Sequence, residues 1–545
     1  MDKFTQTSRS LIVLATLLLT IALSPQQIAH ALTFTVINTN DVAAGSLRQA
    51  ILDANSAAGA DTIDFDATVF STTQTINLTS GQLLVTSAIT FVGPAANVIV
   101  NQTVSGQRVI QMNAGPVTMT NMTIQGGSIN ANGSGILINN NGGAATNYTF
   151  GAGMIIQNNI NTGTSAFGGG IAAFNNAQVT LQGGMQLINN GARSGGGIFL
   201  NFEADLFVNG ATISGNTATV QGGGIRISGT GNLPGDPSNQ AFATITSATI
   251  SGNTASSAGG GIYAFGPSTI SVSDSTLSNN TASSAFSGFF GGLAAEGSLA
   301  TSGGQTTGAP TVTISASTVS GNTGNLGGGA GGATVGGNII LNNTTVSGNL
   351  TTTATLFATP LGNGGGFSIT NIGTNDGTWS VPSALTVNDS TISTNTSVRD
   401  GGGIFINGGT LTVTGSRIIN NTATNNGDAV YSVNAGTVSS TCIVGNSDTA
   451  VFNTTGTLSA LGNWWGTTWG PNIPAAPVSS GSLVSVGDSI SGTGDSTSSV
   501  DVGITSYGDY STAPTGNWLL TAPASCAVCV DGMNPSSIGH TRVCS

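Results

Sequence analysis

Residues Thr249 to Ala264 read T-I-S-G-N-T-A-S-S-A-G-G-G-I-Y-A, and most of the 545-residue chain varies that phrase. T-I-S-G-N recurs at Thr212, T-L-S-N-N at Thr276, T-V-S-G-N at Thr318 and Thr345, T-I-S-T-N at Thr391, and R-I-I-N-N at Arg417. Looser copies begin at Met154, Gln186 and Cys442. The fifth position is Asn throughout: Asn158, Asn190, Asn216, Asn253, Asn280, Asn322, Asn349, Asn395, Asn421 and Asn446. Thr249 to Thr276 spans 27 residues, Thr318 to Thr345 27, Thr391 to Arg417 26, and Arg417 to Cys442 25. Self-similarity at a fixed period of about 20–50 residues marks a solenoid. Each unit holds about three short β-prone segments, such as A-T-I, G-I-Y-A and T-I-S-V-S within Ser247–Leu277. One such unit cannot bury its own apolar face, but stacked units can, each strand pairing with its counterpart one coil along. The expected fold is an all-β, right-handed parallel β-helix of about 25–27 residues per coil. Its handedness rests on the general rule for parallel crossovers. The Asn positions then form an amide ladder at turns, where Asn tolerates left-handed backbone. The Gly-Gly-Gly-Ile runs at Gly195, Gly222, Gly259 and Gly401 supply conformations that Cβ-bearing residues resist.

Composition narrows the function. The chain has 82 Gly and a formal net charge of −12. Past residue 31 it has seven Arg and no Lys. Nucleic acid is therefore excluded as a partner, because phosphate binding needs clustered Lys and Arg. Lys3 and Arg9, the apolar run Leu11–Leu23, and Ala29-His30-Ala31 form a secretory-signal pattern over residues 1–31. No later stretch is long and apolar enough to span a membrane as a helix. The expected location is outside the cell or on its surface.

Residues 32–66 carry the one helix signal, Ser46 to Asn55, with Ser46 as N-cap and Leu47, Ala50, Ile51 and Ala54 apolar. Leu47 and Ile51 are expected to cap the first coil. S-L-R-x-A-I (46–51), Ala54-Asn55 and D-T-I-x-F (61–65) resemble the N-terminal segment of secreted bacterial β-helix proteins named for a C-S-L-R-E-A motif. Gly45 stands in place of that Cys and Gln49 in place of the Glu. The resemblance implies a cap on the first coil. The G-G-G-I and S-x-N repeats also resemble those of polymorphic outer-membrane protein adhesins.

The solenoid is expected over residues 67–471. Longer spacings from Thr212, Thr276 and Thr345 imply loops near Ser228–Gln240, Ser283–Gly308 and Thr351–Gly362. Trp464, Trp465 and Trp469, in N-W-W-G-x-x-x-G-P, suit a cover for the last coil. That phrase also resembles the ends of secreted right-handed β-helix proteins. Residues 472–545 form a Ser/Gly-rich cap and tail with Cys526, Cys529 and Cys544, where a disulfide is expected without readable connectivity.

Pectin lyases and polygalacturonases of this fold class use clustered Asp with Arg, Lys or His. Past residue 31 this chain has one His, His540, and two Glu, Glu203 and Glu296. The weak catalytic candidates are Asp400 and Asp428, on adjacent coils if Ile404 aligns with Val430, with Arg399 beside them. No metal and no cofactor is assigned. The sequence favours a non-catalytic adhesive or structural protein that presents loops to surface glycans or cell-surface proteins. A polysaccharide-active lyase or hydrolase on the same scaffold is the alternative.

Overall fold

The structure is a computed structural model describing residues 30–466 and the strands at 490–492 and 499–501; within 30–466 it omits 142, 230–239, 285–286, 300–305, 354, 357–358, 361, 371–381, 434–435, 447–448 and 456. The chain is a right-handed parallel β-helix built from four long parallel sheets of 16, 13, 10 and 14 strands. We call them I to IV, in the order a coil meets them. One coil runs Ala241–Thr246 in sheet I, Thr249–Ser251 in II, Thr254–Ala255 in III and Ile262–Phe265 in IV. Sheet III is one strand per coil more than the sequence suggests. Its two-residue strands are too short to stand out as β-prone runs.

Alternation within each strand sorts the residues. In Ser268–Ser273, Ile270 and Val272 point into the core while Thr269 and Ser271 face out. Matched register then stacks like on like: Ile213, Ile250, Leu277, Val319, Val346, Ile392, Ile418 and Ile443 form one buried column. Stacking of this kind gives each apolar residue two equivalent neighbours along the axis.

The Asn row lies at the corner between sheets II and III. Asn253 donates from Nδ2 to Asn280 Oδ1 at 3.0 Å and to the Ile213 carbonyl at 2.9 Å, and its backbone N–H also reaches Asn280 Oδ1. The same pattern runs from residue 159 through Asn190, Asn216, Asn253, Asn280, Asn322, Asn349 and Asn395 to Asn421 and Asn446. The first member is Asn159, not Asn158. The strand at 155–157 pairs Ile155 with Gln186, which shifts that copy by one residue. Asn158 instead takes the left-handed conformation, φ 54°, as do Asn189, Gly215, Gly252 and Asn279. The left-handed residue is thus the fourth of the phrase, and the ladder Asn is the fifth, with its amide turned inward.

The corner between sheets I and II follows the same rule with hydroxyls. Asp274 and Asp389 are left-handed. The next residues, Ser275 and Ser390, accept backbone N–H groups from the preceding coil, Ala248 to Ser275 Oγ at 3.0 Å and Thr344 to Ser390 Oγ at 3.0 Å. The row closes at Asn463, whose Oδ1 accepts the Thr441 N–H at 2.9 Å.

At the N-terminal end, Thr33–Val36 pairs with Asp61–Phe65 and begins sheet I. Helix α1 (Leu47–Ser56) buries Leu47, Ala50, Ile51 and Ala54 in the main core, with the Ser46 Oγ accepting the Gln49 N–H. Gly45 is left-handed, and a Cβ there would meet Ile37 Cγ1 at 2.3 Å. The helix is pinned by Arg48, which pairs with Asp41 at 2.7 Å and donates to the Gly81 and Gln82 carbonyls. Asp41 also accepts the Thr79 and Ser80 N–H groups.

At the other end, the bridge between Cys442 and Trp464 sets Trp465 beside Ile443, so the fully buried indole closes the sheet II column. Trp464 is half-buried, and its backbone continues sheet II by bonding Thr441 and Ile443. Trp469, Cys526, Cys529 and Cys544 lie outside the described residues, whereas Cys442 is disulfide-bonded. Ile490–Gly492 pairs with Val451–Asn453 and Ser499–Asp501 with Thr457–Ser459, so strand pairing passes the expected boundary at Pro471.

Asn280→Ala removes a buried donor and acceptor from the middle of the ladder. Each group left unpaired costs roughly 1–3 kcal/mol. Chemical denaturation of this variant should show a loss at least that large, and an unchanged midpoint would contradict the structural role. Burial tends to raise the Asp41 pKa, but bonds from Thr79, Arg48 and Ser80 outweigh it and hold the carboxyl below its ordinary value. A depressed carboxylate stabilises the fold above its unfolded pKa and loses that contribution as pH falls through the folded one. The Asp41→Asn variant should therefore be less stable than wild type at neutral pH, with the gap narrowing in acid.

Candidate functional site

The coils between residues 168 and 403 enter sheet IV through a run of two or three glycines. Gly259 is left-handed at φ 63°, and a Cβ on Gly260 would lie 2.5 Å from the Gly291 carbonyl, so the run is required by close stacking of backbones. The strand that follows alternates again. Ile225, Ile262 and Leu293 point into the core, and the residues after them, Arg226, Tyr263 and Ala294, stand on the outer face.

That outer face gathers a second, smaller cluster of Ala258, Tyr263, Phe290 and Ala294, with Phe265 and Phe289 packed against it. Phe290 replaces the first Gly of the run and adopts φ 59°, an uncommon conformation for a bulky residue. Its ring lies over Gly332, where a Cβ would come within 2.2 Å of Phe290 Cε1. Gly332 thus has a packing reason, and at Gly331 a Cβ would lie 2.7 Å from the Leu293 carbonyl of the neighbouring coil.

Polar groups are threaded through these rings. Gln221 Nε2 donates to the Tyr263 hydroxyl at 2.8 Å, and that hydroxyl donates to Glu296 Oε2 at 2.5 Å. The Arg226 guanidinium lies 5.4 Å from the Tyr263 ring centroid and 5.6 Å from those of Phe167 and Phe199. Burial pushes the Glu296 carboxyl up, with the Tyr263 bond and the Arg226 charge pulling against it. Burial and the adjacent Glu296 push the Tyr263 hydroxyl well above its usual value. Burial lowers Arg226, opposed by Tyr263 and Glu296 and reinforced by the like charge of Arg193.

Further along the same face, Phe405, Tyr431 and Phe452 stack at 5.3 and 5.2 Å. Asp400 immediately precedes the Gly run of the coil that carries Phe405. Ile404 pairs with Val430, the alignment that sets Asp400 and Asp428 on adjacent coils with a two-residue offset. The two carboxylates have separate duties. Arg399 reaches Asp400 at 3.4 Å, and Asp428, 1% exposed, accepts the Ala423 N–H within its own turn.

Connections out of sheet IV are long on alternate coils. After Ser228 sheet I resumes at Ala241, after Glu296 at Thr311, and after Thr370 at Ala384, whereas Phe265 is followed by Ser268. The third of these was hidden in the sequence because its coil carries a second insertion, between Thr351 and Phe367. Among the described residues no helix is long and apolar enough to cross a membrane, and no group of three His, Cys, Asp or Glu is placed to hold a metal.

Neither a protein-family model nor a curated protein matches the chain. Tyr263→Phe should raise the Glu296 pKa further, since the lost bond favours the carboxylate. With only Glu203 and Glu296 in the chain, NMR titration of the Glu side-chain carboxyls resolves this directly. A fall, or no change, would contradict the arrangement.

Proposed function

We propose that the protein is a secreted, non-catalytic binding protein that holds an extended glycan along the outer face of sheet IV, in an adhesive or structural role at a cell surface. The observation that carries this reading is the run of half-buried rings on that face: Phe167, Phe174, Phe265, Phe289, Tyr431 and Phe452. Fully buried neighbours such as Phe199 and Tyr263 fix them in place. Rings held with one face or edge open offer rigid apolar platforms at little entropic cost. From the strand of Phe174 to that of Phe452 is nine strand steps. At about 4.8 Å each, that is roughly 43 Å, long enough for an extended chain. The mild negative charge suits a mostly neutral ligand. The N-terminal segment, with its C-S-L-R-E-A-type resemblance, serves here as the cover that keeps the first coil from pairing with another chain.

A glycan array probed with the full chain tests this. Retention of a neutral glycan is expected, weakened about tenfold or more by Phe265→Ser with Phe452→Ser while the far-ultraviolet circular dichroism stays unchanged. An array that retains nothing, or variants that bind as wild type, would overturn it.

One observation favours the enzymatic reading, the raised carboxyl of Glu296 beside Tyr263 and Arg226. Raised carboxyls at partly covered sites are general-acid candidates. If polysaccharide turnover exists, it should vanish in Glu296→Gln and survive in Asp400→Asn. Reducing-sugar release over a polysaccharide panel reads this, and turnover that persists in Glu296→Gln would exclude Glu296 as its acid.

A further inference from the structure

We propose that Arg193 and Arg226 form an oxyanion site on the outer face of sheet IV, which takes a single sulfate or carboxylate substituent on an otherwise neutral glycan. This rests on the reading of that face as the glycan surface.

The chain is poor in positive charge, with seven Arg past residue 31, yet two of them meet at one ring. The Arg193 guanidinium lies 5.8 Å from the Phe167 centroid and that of Arg226 lies 5.6 Å from it. Neither makes a salt bridge among the described residues, although the Glu296 charge acts on Arg226. Among the described residues the ion pairs are Arg48 with Asp41 and Arg399 with Asp400. Arg226 gives Nε to Ser228 Oγ at 3.2 Å, and among the described residues its terminal amino groups donate no hydrogen bond. The carboxyl whose charge acts on Arg226, Glu296, accepts the Tyr263 hydroxyl through Oε2.

Holding two guanidinium groups together under partial burial costs free energy that a bound anion would recover. Planar guanidinium groups with free terminal N–H donors suit oxyanions, because two parallel bonds fit their oxygens. The aromatic walls fix the orientation of Arg226 in advance, which lowers the entropy lost on binding. Elsewhere between Phe167 and Phe452 the face carries rings, the Glu296 carboxyl and the paired Arg399 and Asp400, with no further unpaired Arg, so the site selects one charged substituent and not a polyanion.

The test compares matched neutral, sulfated and carboxylated oligosaccharides on the full chain, with inorganic sulfate as a separate probe. A charged form should bind roughly tenfold tighter than its neutral counterpart, the scale of a charge-assisted contact. Which form gains identifies the substituent. Arg193→Gln and Arg226→Lys should each remove most of that preference and leave neutral binding intact. Arg226→Lys keeps the charge but loses the fork, so a fold defect is not expected to confuse it. Equal binding of charged and neutral forms, or a preference that both variants retain, would overturn the inference while leaving the glycan reading standing. Sulfate binding that Arg193→Gln abolishes, with no glycan retained, would support the site and sink the glycan reading.

Discussion

A coil of this chain has no internal partner for most of its backbone. The N–H and C=O groups of Thr249–Ser251 or Ile262–Phe265 point along the axis, toward the coils before and after. Buried amides left unpaired are expensive, so the only economical arrangement is another coil of the same shape in the same register. Stacking therefore precedes every other feature. It places Ile on Ile and Asn on Asn, and requires residues without Cβ where backbones approach closest, as at Gly260. The amide row converts corners, normally the weak points of a coil, into a continuous chain of bonds from Asn159 to Asn446.

Inward positions are thus committed to a few residue types, and freedom to specialise falls to outward ones. Sheet IV uses that freedom. Its outer positions change from ring to charge to Gly in neighbouring coils, as in Phe199, Arg226, Tyr263, Ala294 and Gly332. Residues there belong to a satellite cluster separate from the main core. A stiff scaffold with one variable face separates the problem of folding from that of recognition.

The period, the fold class and nine of the ten ladder residues were legible because stacking writes the same residue at the same place in each coil. The exception is instructive. In Met154–Asn159 two Asn adjoin, and composition alone does not say which takes the left-handed turn and which faces in. The hydroxyl row was less visible because Ser and Thr are common everywhere in this chain. Arg226, Tyr263 and Glu296 were not legible as a group, being 37 and 33 residues apart with insertions between them. A signal did exist: the residue after the Ile in G-G-G-I is always outward, and aligning Phe199, Arg226 and Tyr263 on it would have assembled the column. Asp400 and Asp428 drew attention by residue type and by the alignment of Ile404 with Val430, which holds, but neither signal reveals that Asp428 accepts a turn N–H.

Everything above depends on a coil of about 27 residues placing Thr276 directly beside Thr249. Paired cysteines read that register. Partner Cα atoms on neighbouring strands fall in the roughly 4.4–6.8 Å range that a disulfide tolerates, and a two-residue offset takes them out of it. Thr249→Cys with Thr276→Cys should cross-link on mild oxidation, detected as a linked peptide by mass spectrometry, while Thr249→Cys with Ser278→Cys should not. A link in the offset pair and none in the matched one would contradict the stacking on which the account stands.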